Sequence, residues 1–165
     1  MQTINGILKI ANGDYQNTDA VPNTIRYVAS HPIENGCNGI ACSSLPEDAI
    51  DDFNEIKTFY SKTDGKQVRH FIISFVYSQY ATEHIYQIAW NIACYFQQAG
   101  HQAFYGIHEN TDKHHCKCYH IHMIINTINF RTGKRLENTP KQKNDFMAYI
   151  NSLPYLNITP ANNYY

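Results

Sequence analysis

The chain has 165 residues, 43% of them hydrophobic and 16% charged, which suits one domain with its own core and excludes a disordered polymer. A formal net charge of −1 excludes a partner held by overall charge alone, yet the charge is uneven: five acids and no Lys or Arg lie between Glu47 and Glu55, and seven bases against one acid lie between Lys113 and Lys143. The start, MQTINGILKIANGDY, has no basic stretch followed by an apolar run, no later run reaches membrane-spanning length, and the five cysteines show no secreted-scaffold spacing, so a reduced, cytoplasmic chain without membrane insertion is expected.

Residues 3–11 read as a first strand. A short helix is predicted over 23–30 (NTIRYVAS), ending before Pro32 because the residue preceding a proline is driven out of helical geometry. A loop with Gly36 and Gly39 follows. Ser44, with Glu47 three residues on and Pro46 in the first turn, predicts a capped helix over 45–61 whose Ile50, Phe53, Ile56 and Tyr60 form an apolar stripe. Asp64-Gly65 marks a turn. QVRHFIISFVY, 67–77, is rich in β-branched and aromatic residues and reads as a central strand. A helix over 82–99 starts at a Thr82 cap and stops at Gly100; strands near 102–109 and 117–129 follow, joined as a hairpin with a long connection. Thr132-Gly133 turns the chain into a last helix over 141–152, which stops before Pro154. This order predicts an α/β (α+β) fold, a largely antiparallel central sheet flanked by helices.

The stretch HENTDKHHCKCYHIHMIIN, residues 108–126, holds five of the nine histidines and two of the five cysteines. Alternation along a strand sends Tyr119, Ile121, Met123 and Ile125 to one face and Cys118, His120, His122, Ile124 and Asn126 to the other. His120 and His122 then stand side by side as metal ligands, and an antiparallel partner ending at His108 brings a third imidazole opposite them. Three imidazoles with open coordination positions point to a catalytic rather than a closed structural site. Glu109 and Asp112 can orient an imidazole or offer an oxygen, and Asn126 can hold an imidazole or a backbone group. The competing arrangement is a closed zinc site of Cys116 and Cys118 with His114, His115 or His120, although Cys-x-Cys is not the usual Cys-x₂-Cys knuckle.

HIHMIIN, a His-hydrophobe-His with Asn four residues after the second His, resembles the metal motif of the HUH endonuclease superfamily. The ordered set resembles the relaxase, or mobilisation nuclease, branch in particular. VPNTIRYVASHP is similar to the helix that carries the nucleophilic tyrosine, which would be Tyr27. DDFNEIKTFYSKTDGKQVRHFIISF is similar to its helix, turn and central strand, with a Ser or Thr near Ser74. HENTD and HIHMIIN resemble its histidine motif, and NFRTGKRL the basic segment after it. The match covers nearly residues 20–136.

The resemblance implies an HUH-endonuclease (palm/ferredoxin-like) architecture over 1–165, as a minimal enzyme or the N-terminal part of a longer protein. It implies site- and strand-specific nicking and joining of single-stranded DNA at an origin of transfer, with a 5′-phosphotyrosine on Tyr27. A divalent ion, Mn²⁺, Mg²⁺ or Zn²⁺, would be held by His108, His120 and His122; imidazoles suit Mn²⁺ or Zn²⁺ better than Mg²⁺. Ser74, Arg131, Lys134 and Arg135 would contact DNA, and accessory DNA-binding and coupling proteins would be partners in conjugative mobilisation in the bacterial cytoplasm. KHHCKC departs from the family's shorter run, so His114 or His115 can substitute for His108. Tyr15 and then His31 follow Tyr27 as nucleophile candidates. The alternatives are a rolling-circle replication initiator using a later tyrosine (Tyr149, Tyr155, Tyr164 or Tyr165) and a non-enzymatic zinc-stabilised DNA-binding module.

Overall fold

The computed structural model describes residues 3–75, 82–162 and 164. Its elements are β1 (Ile4–Ile10), α1 (Ala20–Ala29), β2 (Cys37–Ile40), α2 (Pro46–Phe59), β3 (Val68–Phe75), α3 (Thr82–Gln98), β4 (Ala103–Thr111), β5 (Lys117–Asn126), α4 (Pro140–Ser152) and β6 (Leu156–Pro160). The strands make one six-stranded sheet in the order β2-β4-β5-β3-β1-β6. Every neighbouring pair is antiparallel except β1 with β6. This is the α+β arrangement expected, with β3 and β5 inside and β4–β5 as the hairpin. No helix among the described residues is long and apolar enough to cross a membrane.

Helices cover both faces, so the inner strands are apolar on both sides at their buried ends. Val21, Ile25 and Val28 of α1 and Ala49, Ile50 and Phe53 of α2 pack on Val68, Phe104 and Ile124. On the other face, Ile88, Ile92 and Phe96 of α3 and Phe146 and Ile150 of α4 pack on Phe71, Ile73, Met123 and Ile125. Phe71 there stacks on Phe96 at 5.6 Å and meets Phe146 at 5.2 Å. Alternation along β5 thus separates its side chains as expected, and the second face is apolar too wherever α1 and α2 lie over it.

Several local expectations are corrected. The segment with Gly39 is not all loop: Cys37–Ile40 forms the short edge strand β2, hydrogen-bonded to β4. A further strand, β6, follows α4 and ends at Pro160, tolerated because β6 is an edge. α1 begins at Ala20, with Pro22 in its first turn where the missing N–H costs no helical bond. Ser44 does not cap α2: Leu45 occupies the N-cap without a side-chain bond, and Ser44 Oγ instead donates to Asn38 Oδ1 at 2.6 Å. α3 starts at Thr82 itself, so its cap position falls at residue 81, outside the described residues, as do Val76 and Tyr77 of the expected strand.

The buried stripe of α2 includes a lysine. Lys57 is 2% exposed, and its Nζ donates to Gln67 O at 2.7 Å and to Asn126 Oδ1. Asn126 in turn donates from Nδ2 to Gln102 Oε1 at 2.7 Å and Phe53 O at 3.2 Å, and its Oδ1 accepts from Ile128 N at 3.2 Å. Burial, with a smaller push from Arg135, brings the Lys57 ammonium down to about 7.

Candidate active site

Tyr27 lies in the last turn of α1. Ile25 and Val28 turn inward on either side of it, so its ring points outward and is 55% exposed. The helix end is tied down from both sides. Ser30 donates to Tyr27 O through N at 3.2 Å and Oγ at 2.6 Å, and His108 Nε2 lies 2.8 Å from Val28 O. Gly106 on β4 permits the close approach: a Cβ there would lie 2.3 Å from Val28 O and 2.8 Å from its Cγ1. Gly106→Ala therefore pushes α1 off the sheet. The expected cost is about 1–3 kcal/mol, with a larger fractional loss of any activity that needs Tyr27 in place, to be read as a lowered urea midpoint together with adduct yield on DNA.

Three histidines gather beneath that ring, and His120 lies next to them on the same face. Tyr27 meets His122 edge-on at 5.5 Å and 87°, His108 at 6.1 Å and His70 at 6.4 Å between ring centroids. The β4–β5 register sets His108 opposite His120, and the His108 and His122 rings are 4.6 Å apart. Each imidazole of the expected trio has one nitrogen engaged. A carbonyl only accepts, so His108 carries its proton on Nε2 toward Val28 O. His120 Nδ1 shares a hydrogen bond with Ser74 Oγ at 3.1 Å, and His122 Nδ1 one with His70 Nε2 at 3.1 Å. Burial first, and then neighbouring charged groups, drives protons off His70, His120 and His122. His122 is brought down to about 3 and His70 to about 4, and His120 is lowered with Lys9 and His108 contributing.

These shifts set an acid limit. His70 and His122 are neutral in the folded chain down to about 4 and about 3, whereas the unfolded rings take protons near 6.5. The unfolded state binds more protons in that window, so stability is complete above it and falls as pH drops from about 6.5 toward 4. Urea midpoints at pH 7, 5.5 and 4.5 should show the decline, and His70→Gln should shrink it.

The donor chemistry fits a divalent ion. Three imidazoles, each oriented through its other nitrogen by a protein group, would offer Nδ1 of His108 and Nε2 of His120 and His122. Among the described residues no group of three or more His, Cys, Asp or Glu side chains is drawn together tightly enough to hold an ion, and this includes Cys116 and Cys118 with their neighbouring histidines. His114 and His115 are exposed at the hairpin tip, so it is His108 that shares the face with His120 and His122.

The remaining expected residues are spread more widely. Glu109 pairs across the hairpin with Tyr119, one residue out of phase with His108, and forms an ion pair with Lys117 at 3.1 Å. Asp112 shapes the hairpin turn, its Oδ1 accepting from the backbone N–H of His114 and Cys116 at 2.8 Å each, and those bonds lower its carboxyl. Asn126 holds backbone groups and Lys57 rather than a site imidazole. Arg131 donates to Gln98 O at 2.9 Å, and Arg135 to Lys66 O at 2.6 Å and Asp64 O at 2.8 Å, while Lys134 is exposed on its turn. Ser74 faces His120 and lines a groove with Ile7, Asn110, Thr111 and Cys118.

Two residues at the site have no local signature. His70 is four residues before Ser74 on β3, hence on its face, a clue the alternation held but that points to a ligand only once Ser74 is placed. Lys9 reaches this face because β1 pairs it with Ile72, a register no local pattern reveals. Among other tyrosines, Tyr15 is half-buried with Oη 3.3 Å from His70 Nδ1, and burial then Tyr27 raise its pKa. Tyr149 donates to Asn91 O at 2.9 Å, Tyr164 is buried and donates to Lys143 O at 2.8 Å, and Tyr155 is 51% exposed just before edge strand β6. His31 is exposed just beyond α1, and Tyr165 lies outside the described residues.

Comparison with known proteins agrees with this geometry. Residues 27–154 match the family model for the MobA/VirD2-like relaxase nuclease domain. Two relatives, both called Protein rlx and both from Staphylococcus aureus, are 28% identical over 127 residues and 29% identical over 139 residues. These alignments take in 77% and 82% of this chain but only 37% and 39% of the relatives, so the chain spans about two fifths of their length. No solved structure matches significantly. With the matched segment running from the tyrosine at the end of α1 through the histidine hairpin to α4, the chain belongs to the MobA/VirD2-like relaxase family, by its nuclease domain.

Proposed function

We propose that this domain nicks and rejoins one strand of DNA at a defined site, an origin of transfer, by transesterification on Tyr27. The observation that carries the reading is the exposed Tyr27 ring set edge-on against His122, His108 and His70. Tyr27 Oη attacks the phosphorus of a phosphodiester and its phenolic proton is released. The bond from phosphorus to the 3′-oxygen breaks, that oxygen takes up a proton, and the 5′-phosphate stays on the tyrosine. One ester replaces another, so the reverse attack by a 3′-OH reseals the strand without external energy.

The surroundings suit a phosphate. A divalent ion held by His108, His120 and His122 would neutralise a non-bridging oxygen and the charge that grows in the transition state. Lys9 adds a cation beside the same face, near enough to help keep His70, His120 and His122 uncharged. Ser74 Oγ and the groove beside it offer the strand a path along the exposed end of the sheet. Arg131, Lys134 and Arg135 remain candidate phosphate contacts, with Lys134 the most available because the two guanidiniums already bind carbonyls. Accessory DNA-binding and coupling proteins belong to the same proposal.

The test is a denaturing gel with peptide mapping after mixing the protein with single-stranded DNA from its own element, with Mn²⁺ or with chelator. The expected result is a metal-dependent adduct on the peptide containing Tyr27. An adduct on Tyr155 instead would make the chain a replication initiator. Unfolding on chelation with no adduct would make it a zinc-stabilised binding module.

A further inference from the structure

His70 stands between a tyrosine and a candidate metal ligand. It is 4% exposed; its Nε2 lies 3.1 Å from His122 Nδ1 and its Nδ1 lies 3.3 Å from Tyr15 Oη. A buried imidazole is retained at little cost only if both nitrogens are satisfied, and here the two partners satisfy both. Tyr15 is itself held tightly. A Cβ at Gly13 would lie 2.1 Å from its Cζ, Gln67 N donates to its carbonyl at 2.7 Å, and Lys66 Nζ sits 5.7 Å from its ring.

The chain of three groups has two possible proton orders, and only one leaves His122 able to bind an ion. If Tyr15 Oη donates to His70 Nδ1, then His70 donates from Nε2 to His122 Nδ1, which pushes the His122 proton onto Nε2 and blocks it. If His122 donates from Nδ1 to His70 Nε2, then His70 donates from Nδ1 to Tyr15 Oη, and His122 Nε2 is a bare lone pair facing the site.

We propose that His70 is a positioning residue that fixes His122 in the ligand-competent tautomer and ring orientation, with Tyr15 Oη as the acceptor that ends the chain. Tyr15 is thereby assigned a supporting place rather than that of a nucleophile. The inference rests on the reading of His122 as a metal ligand.

The test compares two amides at this position. The Oε1 of His70→Gln reaches where Nε2 lay and accepts the same hydrogen from His122. The shorter His70→Asn ends near the Nδ1 position and cannot. Mn²⁺ affinity, measured at one pH by EPR on the DNA-free protein, should stay within about threefold of wild type for H70Q and fall about 10–100-fold for H70N. The visible spectrum of bound Co²⁺ should be kept by H70Q and changed by H70N. Thermal melts of both metal-free variants show that the pair is compared in the folded state. Equal affinity of H70N and wild type, or H70Q as weak as H70N, overturns the positioning role. A wild type that binds no ion, or one whose binding survives His120→Ala with His122→Ala, overturns the reading of these histidines as ligands and this inference with it.

Discussion

Tyr27→Phe is expected to abolish the covalent adduct, a loss of roughly 1000-fold or more in nicking, while leaving the melting temperature within about 1 °C. The two halves of this expectation have separate causes. Packing of α1 rests on Val21, Ile25 and Val28, which are fully buried, whereas the Tyr27 ring is 55% exposed. Phenylalanine keeps the ring and so keeps the edge contacts with His122 and His108; only the hydroxyl goes. Tyr15→Phe separates the two hydroxyls near His70: it removes the acceptor behind His70 and should slow adduct formation, yet the adduct must still form on Tyr27 because the nucleophile remains. A gel shift with labelled single-stranded DNA and a melt of each variant check both statements. Adduct formation undiminished in Y27F would transfer the nucleophile to another tyrosine.

The site was legible in the sequence where it depended on a single strand and illegible where it depended on how strands meet. Alternation along KCYHIHMIIN places His120 and His122 on one face, and the hairpin puts His108 opposite His120. β2 has no local signature because four residues with a glycine carry no periodic signal, and β6 has none because five residues ending in proline read as a tail. The Ser44 cap fails by one residue: Leu45 takes the N-cap position, which leaves Ser44 outside the helix, where its hydroxyl donates to Asn38. His70 and Lys9 join the site through the β3–β5 and β1–β3 registers. Those strands are far apart in the chain, and register between them is set by the whole sheet rather than by either segment. The basic run after the hairpin shows the reverse case, a visible charge pattern whose guanidiniums mainly close loops.

Asn126→Ala is expected to be the most destabilising small substitution in the chain, at about 3–5 kcal/mol, or roughly 10 °C in melting temperature. Asn126 is fully buried and is the hub for Lys57, Phe53, Gln102 and Ile128. Alanine leaves the Nζ of Lys57, 2% exposed, with Gln67 O and takes a partner from three further groups, Phe53 O, Gln102 Oε1 and Ile128 N. The same lysine gives a pH signature. In the folded chain it titrates at about 7, against about 10.4 in the unfolded chain, so between these values the unfolded state binds more protons. Stability must then rise with pH from about 7 upward, while below that the deficit is constant. Cys37 and Cys42, pushed up by burial to about 11 and about 12, act in the opposite sense once free thiols begin to ionise near 8.5, which leaves roughly pH 7 to 8.5 as the clear window. Urea titrations across that window should show the rise in wild type and lose it in Lys57→Met. A flat wild-type profile there would mean that Lys57 keeps its charge and that the carbonyls around it, not a shifted proton equilibrium, carry the burial.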